Sequence, residues 1–395
     1  MARVLFCCEL GTGYGHVSQL LPLALALQRR GHEAVFAVND LAKADGVLGG
    51  HGMRAFQCPL WTARVGGLPP IRNYTDIMLR HGFLDHQGLR GVARAWRNLV
   101  DILAPGLMVL DHSPVAFFAT RAMHIARVRF GTGFCCPPLL SPMPQLAWWE
   151  QRADPFDAVG ERNAVHVANQ AGDDLGLPRV ASVAEILAAD DEILCTFAEL
   201  DHYGARPHGK FYGPVLDASA GASVSWPVGG GPCAFVYVRS EYPYVEPLVR
   251  SVVALGCKAV LHVPGLAPAA AARMATPRVV FSPAPVRMDE VLVHSDFVVC
   301  HGGSGTTHTV LMAGKPLLLL PTQTEQDMQA RRIAALGAAI TIAPTPTAPT
   351  FSKALERLMQ GGTLRSSAAA FAASHQDHYV PACVENLATR CEALL

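Results

Sequence analysis

Between Ser295 and Gly337 an apolar strand, a turn and a helix follow one another and then repeat, and no other stretch restricts the fold of this chain so closely. The run ending Phe297-Val298-Val299-Cys300 has the length and β-branched content of a strand buried in a parallel sheet. His301-Gly302-Gly303-Ser304-Gly305-Thr306 follows directly and opens a short helix over 307–313, which Gly314 and Pro316 close. Residues 317–320 then read as a second buried strand, 321–325 as a loop, and 326–336 as a second helix that stops at Gly337. Strands alternating with helices in this way specify an α/β fold with a parallel sheet.

Glycines at 302, 303 and 305 let the backbone come close to a ligand, and the helix that follows directs its free N–H groups and the positive end of its dipole at that ligand. An anion suits such a place, and a diphosphate suits it well. A glycine-rich turn between strand and helix occurs in many α/β proteins, so the hexapeptide needs its surroundings to be informative. Those surroundings are Pro285, then Gly314-Lys315-Pro316, Pro321, the pair Glu325-Gln326, Ala330 and Leu336-Gly337. In this order and spacing the segment resembles the donor-binding signature of nucleotide-sugar glycosyltransferases of the GT-B fold, specifically the UDP-glycosyltransferases and bacterial antibiotic-type glycosyltransferases.

The resemblance implies two Rossmann-like domains facing each other across a cleft, and it assigns roles residue by residue. His301, Gly303, Ser304, Gly305 and Thr306 would hold the donor diphosphate. Val286 and Arg287, in Pro285-Val286-Arg287, would hold the donor base, and Glu325 and Gln326 the donor sugar. Arg239-Ser240 stands where a Gly/Ser-rich turn is expected at the end of another strand, so Arg239 and Ser240 join the diphosphate contacts. Members that use UDP-sugars often carry a glutamate eight residues after the loop histidine, where it binds the ribose hydroxyls. This chain has Thr309, which favours or tolerates a deoxyribose donor such as a dTDP-sugar.

The N-terminus repeats the strand, turn and helix grammar. Residues 3–8 form a buried strand, 10–15 a glycine-rich turn, 17–30 a helix containing Pro22 and stopped by Gly31, and 33–38 a second strand. Gly11 and Gly13, with Asp40 beyond the next strand, suggest a dinucleotide fingerprint, but His16 occupies its third glycine position and argues against a dehydrogenase. The resembling family carries its catalytic base here, so His16 is the candidate base. The family's usual proline three residues later is Gln19 in this chain, which leaves the start of the helix open. Residues 107–110 form another strand, ending in Asp111-His112-Ser113-Pro114. An acid at the carboxyl end of a parallel strand lies on the ligand-binding edge, and Asp111 takes the place of the family's histidine-orienting aspartate, with a helix N-cap as the competing reading.

An imidazole with an ordinary pKa of about 6.5 can take a hydroxyl proton near neutrality, with an aspartate fixing its tautomer. The family inverts at the anomeric carbon by direct displacement, so no protein nucleophile is needed. There is no Asp-x-Asp pair to hold a metal, and neither Cys7-Cys8 nor Cys135-Cys136 has metal-site spacing. The expectation is therefore a metal-independent hexosyltransferase without a cofactor, the nucleotide-sugar being a co-substrate. A sugar-nucleotide 2-epimerase would use several carboxylates around the sugar, of which Glu325 alone is obviously placed. A non-catalytic nucleotide-sugar-binding protein would have no use for His16 and Asp111.

At 395 residues the chain exceeds a single core and divides into about two domains. These are read as an acceptor domain over 1–216, a Ser-, Ala- and Gly-rich linker over 217–231, a donor domain over 232–378, and a last helix over 379–395 crossing back to the first domain. Residues 344–349 read as a proline-punctuated connector. With 16% charged residues and half the chain apolar, some surface is available to a greasy ligand. Trp61, Tyr74, Met78, Phe134 and Trp148 are the candidate acceptor contacts, although core packing would explain such residues equally well. The acceptor expected is an apolar, polycyclic or lipid-like alcohol or phenol. A net charge of zero argues against nucleic acid. The direct entry into a strand and the absence of a long apolar run suggest a cytoplasmic protein without a membrane span, leaving room for transient membrane contact.

Overall fold

The structure is a computed structural model that describes residues 1–11, 13–150, 155–204, 206–342 and 348–395. The connector expected at 344–349 lies largely outside these residues. The chain divides into two compact units, Met1–Val215 together with Val380–Leu395, and Leu216–Tyr379.

The first unit holds a six-stranded sheet of order β3-β2-β1-β4-β5-β6. Its strands are β1 (Arg3–Cys8), β2 (Glu33–Val38), β3 (Arg54–Gln57), β4 (Leu107–Asp111), β5 (Ala126–Gly131) and β6 (Asp191–Leu194), and every neighbouring pair is parallel. Both faces are covered. Leu5 and Cys7 of β1 enter one apolar core with Tyr74, Met78, Trp96 and Phe118, while Val4, Phe6 and Cys8 enter another with Leu20, Leu27 and Leu387. A strand buried on both sides reads as continuous apolar sequence, and the run from Val4 to Cys8 does so. The region after residue 41, loosely patterned in sequence, contains β3 and the helix His86–Leu103. That helix buries Leu89, Ala93, Trp96, Val100 and Leu103, one stripe at helical spacing.

The second unit holds another six-stranded sheet, order β12-β11-β10-β7-β8-β9. It is built from β7 (Cys233–Tyr237), β8 (Lys258–His262), β9 (Val279–Ser282), β10 (Phe297–Cys300), β11 (Leu317–Leu319) and β12 (Ala339–Thr341), again all parallel. Counted from its own first strand the connectivity is the same as in the first unit. In each sheet the chain adds two strands on one side of its first strand and then crosses to the other side. The switch points therefore fall between β1 and β4 and between β7 and β10, where an open parallel sheet receives its ligand.

One boundary differs from the sequence reading. The stretch 217–231 belongs to the second unit and is hydrogen-bonded to it: Ala222 N–H donates to the Pro285 carbonyl at 2.8 Å, and Arg287 N–H to the Ala222 carbonyl at 3.0 Å. Gly221, at φ +122°, makes this docking feasible, since a Cβ there would lie 2.7 Å from the Pro285 oxygen. The terminal helix Val380–Glu392 packs in the first unit, burying Val384, Leu387, Ala388 and Cys391. Arg30 clasps its Glu385 and Glu392 at 2.7 and 2.5 Å.

Candidate active site

The first switch point brings together residues far apart in sequence. Cys8 and Asp111 are register partners on β1 and β4. The turn after β1 leads into the helix Tyr14–Arg29, which starts earlier than the apolar spacing suggests and runs through Pro22. His16 consequently stands in its first turn. Its Nδ1 lies 2.6 Å from Asp111 Oδ2, with the aspartate side chain 1% exposed and the imidazole 22%. The glycines on either side leave room for this contact. A Cβ on Gly11 would lie 2.5 Å from both the His16 ring and Cys8 Sγ, and one on Gly131 would lie 2.9 Å from Asp111 Oδ1.

Two further buried polar residues shape the same edge and had no role in the sequence reading. His112 follows Asp111 at φ +47°, an uncommon conformation for a residue with a side chain. It stacks on His16 with ring centroids 6.2 Å apart, and its Nδ1 lies 3.0 Å from the Tyr74 hydroxyl. Burial, and secondarily the neighbouring His16, push the His112 imidazole down to about 3, so it stays neutral near pH 7. Glu9 is fully buried just past β1. Its Oε2 accepts N–H bonds from Val115 and Ala116 at 2.9 and 3.2 Å, while its own N–H donates to Ser113 Oγ at 2.9 Å. Burial raises its carboxyl to about 8 despite those two donors, so it is largely protonated at neutral pH. Glu9 ties the end of β1 to the turn carrying Asp111 and His112. A lone acid in the apolar run Cys7-Cys8-Glu9-Leu10 was the available sequence signal.

The second switch point carries the glycine loop. The helix begins at Ser304, three residues earlier than its apolar pattern indicates, so Ser304, Gly305 and Thr306 form its first turn. Gly303 precedes it and no side chain caps it. Ser304 Oγ is buried and lacks a hydrogen-bond partner among the described residues. Uncapped N–H groups and an unpaired hydroxyl at a helix start are suited to an anion. Arg239 beside them is exposed, and Ser240 N–H donates to the Pro264 carbonyl at 3.1 Å.

Several expected contacts take a different form. His301 does not offer its ring to an anion: Nδ1 lies 2.7 Å from the Leu320 carbonyl and Nε2 accepts the Arg239 N–H at 2.9 Å. It is a neutral strut, its pKa lowered chiefly by burial, joining the ends of β7, β10 and β11. Gln326 spends its amide oxygen on Thr322, at 2.9 Å from the backbone N–H and 3.0 Å from the hydroxyl, and so holds the loop after β11. Glu325 sits partly exposed in the first turn of the helix Thr324–Ala335. The Arg287 guanidinium is paired with Asp289 and Glu290 at 2.7 and 3.1 Å. The Val286 side chain is buried. Since Pro285 and Arg287 both bond Ala222, the Val286 N–H and carbonyl point the other way, as parallel pairing requires.

Residues 247–394 match the family described as the erythromycin biosynthesis protein CIII-like C-terminal domain. The calicheamicin glycosyltransferase CalG4 superimposes with a TM-score of 0.74 at 20% identity, over 100% of this chain and 98% of that one. The chain has the GT-B glycosyltransferase fold. The spinosyn rhamnosyltransferase SpnG complexed with thymidine diphosphate is similar over 98% of this chain and 100% of its own, with a TM-score of 0.65 and 20% identity. In sequence, the vancomycin aglycone glucosyltransferase of Amycolatopsis orientalis is 38% identical over 87 residues, 19% of this chain. That stretch spans about a fifth of the relative's length, 21%.

Within this GT-B chain the expected acceptor contacts divide by burial. Met78 is fully buried and Tyr74 nearly so, which makes both core residues. Their helix, Tyr74–Arg80, is buried almost all round, a situation its seven residues could not reveal by periodicity. Tyr74 still acts on the site through His112. Phe134 is partly exposed, with its ring 5.8 Å from that of His112. Trp148 meets Trp149 edge-on at 5.4 Å. Trp61 packs over Gly88, where a Cβ would collide with its ring at 1.9 Å. No helix among the described residues is long and apolar enough to cross a membrane.

Proposed function

We propose that this chain transfers a hexose from a nucleotide diphosphate sugar to a hydroxyl of an apolar small-molecule or lipid-like acceptor, with inversion at the anomeric carbon. The observation that carries the reading is the 2.6 Å contact between His16 Nδ1 and buried Asp111 Oδ2. With Asp111 accepting from Nδ1–H, the imidazole keeps its lone pair on Nε2. Nε2 takes the acceptor proton as the acceptor oxygen bonds to the anomeric carbon. The bond from that carbon to the diphosphate oxygen breaks, and its electron pair leaves with the diphosphate. Asp111 steadies the imidazolium that forms. The first-turn N–H groups at Ser304 to Thr306, the Ser304 hydroxyl and the exposed Arg239 supply the positive field for the leaving group, so a divalent ion is not required for that task.

The donor is read as a dTDP- or UDP-sugar. The outward amide of Val286 offers one donor and one acceptor, matching the alternating edge of a thymine or uracil. Thr309 back-bonds to the Gly305 carbonyl at 2.9 Å and is too short to span two ribose hydroxyls. This supports a deoxyribose donor, in keeping with the thymidine diphosphate named for SpnG. Thr309→Glu is accordingly expected to raise turnover of a UDP-sugar relative to the matching dTDP-sugar. An unchanged ratio of the two would remove Thr309 as the determinant.

The test of the function is product analysis. The protein is incubated with dTDP- and UDP-hexoses and a panel of polycyclic alcohols and phenols, donors being chosen first by thermal shift. The expected product is an acceptor heavier by one hexose. An epimerised sugar nucleotide without transfer, or donor binding with no product from any acceptor, would overturn the reading. A strong preference for free sugars or peptides would overturn the acceptor class.

A further inference from the structure

We propose that Cys8, His16 and Asp111 form a binding site for a thiophilic divalent cation such as Zn²⁺, and that an ion held there silences His16. The three offer a thiol sulfur, an imidazole nitrogen and a carboxylate oxygen that all lie within 4.8 Å of one another. Zinc bonds of about 2.3 Å to sulfur and about 2.0 to 2.2 Å to nitrogen and oxygen place tetrahedral ligands roughly 3.3 to 3.6 Å apart. Closing the widest pair to that spacing needs side-chain shifts of about 1 Å or a little more.

The fold sets these donors side by side. Cys8 and Asp111 face one another in the parallel register of β1 and β4, and His16 reaches both from the first turn of the next helix. Gly11 presents a bare backbone where thiol and imidazole converge. An independent observation points to a ligand: Asp111 Oδ1 is buried and has no hydrogen-bond partner among the described residues, with the residue only 1% exposed. A buried carboxylate oxygen left unpaired is costly, and a cation would satisfy it.

Charge and access agree with this assignment. Coordination expels the Cys8 thiol proton to solvent, so thiolate, carboxylate and a doubly charged ion sum to zero around a neutral imidazole. The partly exposed His16 side chain leaves a way in and a fourth position for water, giving three protein ligands with one open site. A soft thiolate favours zinc, cobalt or cadmium over magnesium or calcium. An ion on Nδ1 displaces the Asp111 hydrogen bond and prevents an imidazolium from forming. The silencing rests on the proposed role of His16. The binding rests on the donor set alone.

The experiment titrates the full chain with Co²⁺ and follows thiolate-to-cobalt charge-transfer absorption, which is expected to saturate at one ion per chain and to be displaced by Zn²⁺. Cys8→Ala should abolish the band and weaken affinity for the ion by more than the roughly 10- to 100-fold that loss of an outer-shell partner alone costs. Cys8→Ser provides a second variant should alanine disturb packing, and Asp111→Asn should weaken binding while keeping the thiol. Zinc should inhibit transfer by the unsubstituted protein reversibly, a chelator restoring it, while Cys8→Ala should transfer normally and ignore zinc. A cobalt spectrum without a thiolate band, or a band that persists in both Cys8 variants, overturns the site. Cobalt binding that depends on Cys8 in a protein with no transferase activity would uphold the site and count against the function alone.

Discussion

Replacing His16 by alanine is expected to slow the chemical step by about a hundred- to ten-thousand-fold, the usual contribution of a positioned general base, while donor affinity stays near its original value. The separation follows from the topology. His16 belongs to the sheet of the first unit, and the Ser304 to Thr306 turn proposed to hold the diphosphate belongs to the second. Single-turnover rates with saturating donor measure the first quantity and calorimetric titration of the donor the second. Asp111→Asn should lose less, because the imidazole remains but can settle in the wrong tautomer. An acidic acceptor such as a nitrophenol should suffer less from either change than an aliphatic alcohol, since less of its barrier lies in removing the proton. Near-normal turnover of an aliphatic acceptor by His16→Ala, or a loss confined to donor binding, would make the histidine structural.

The dyad was legible because each partner is announced locally. His16 follows a strand and a glycine turn, and Asp111 ends a strand, which is where parallel sheets present their ligands. Its surroundings were not legible, because they arise from pairing between segments a hundred residues apart. Glu9 is held by Val115 and Ala116, and His112 is given its place by Tyr74 and by the stack on His16. The second unit shows the same division. Its glycine loop was plain in sequence, but the use of the His301 ring depends on the Arg239 amide, sixty-two residues away. Composition also misled over 217–231. Small residues imply slack, yet Gly221 is there because the chain must pass close to Pro285. Met78 was misread for a related reason, since an apolar side chain in a short helix carries no mark of which way it faces.

Gly302→Ala should strike the donor side as selectively as His16→Ala strikes the base. Gly302 sits at φ +95°, and a Cβ there would lie 3.1 Å from the Gln326 carbonyl oxygen, so the substitution meets both an unfavourable backbone conformation and a close backbone atom. Strain of this kind costs about 1 to 3 kcal/mol. The chain can relieve it by shifting the loop, but the loop is pinned on one side by His301, bonded to Leu320 and Arg239, and on the other by the start of the Ser304 helix. Any shift therefore misaligns the amides proposed to face the diphosphate. Donor affinity should fall by up to roughly 150-fold, the upper end of that strain expressed as a ratio, and the urea midpoint should fall with it. Gly303→Ala supplies the control, because φ there is −63° and an added Cβ meets nothing within 4 Å. Its urea midpoint should stay unchanged, so any loss of donor affinity in that variant reports the ligand's approach rather than the fold. If Gly302→Ala binds the donor as tightly as the unsubstituted chain, the diphosphate does not lie on this loop, and the donor site must be sought elsewhere in the second unit.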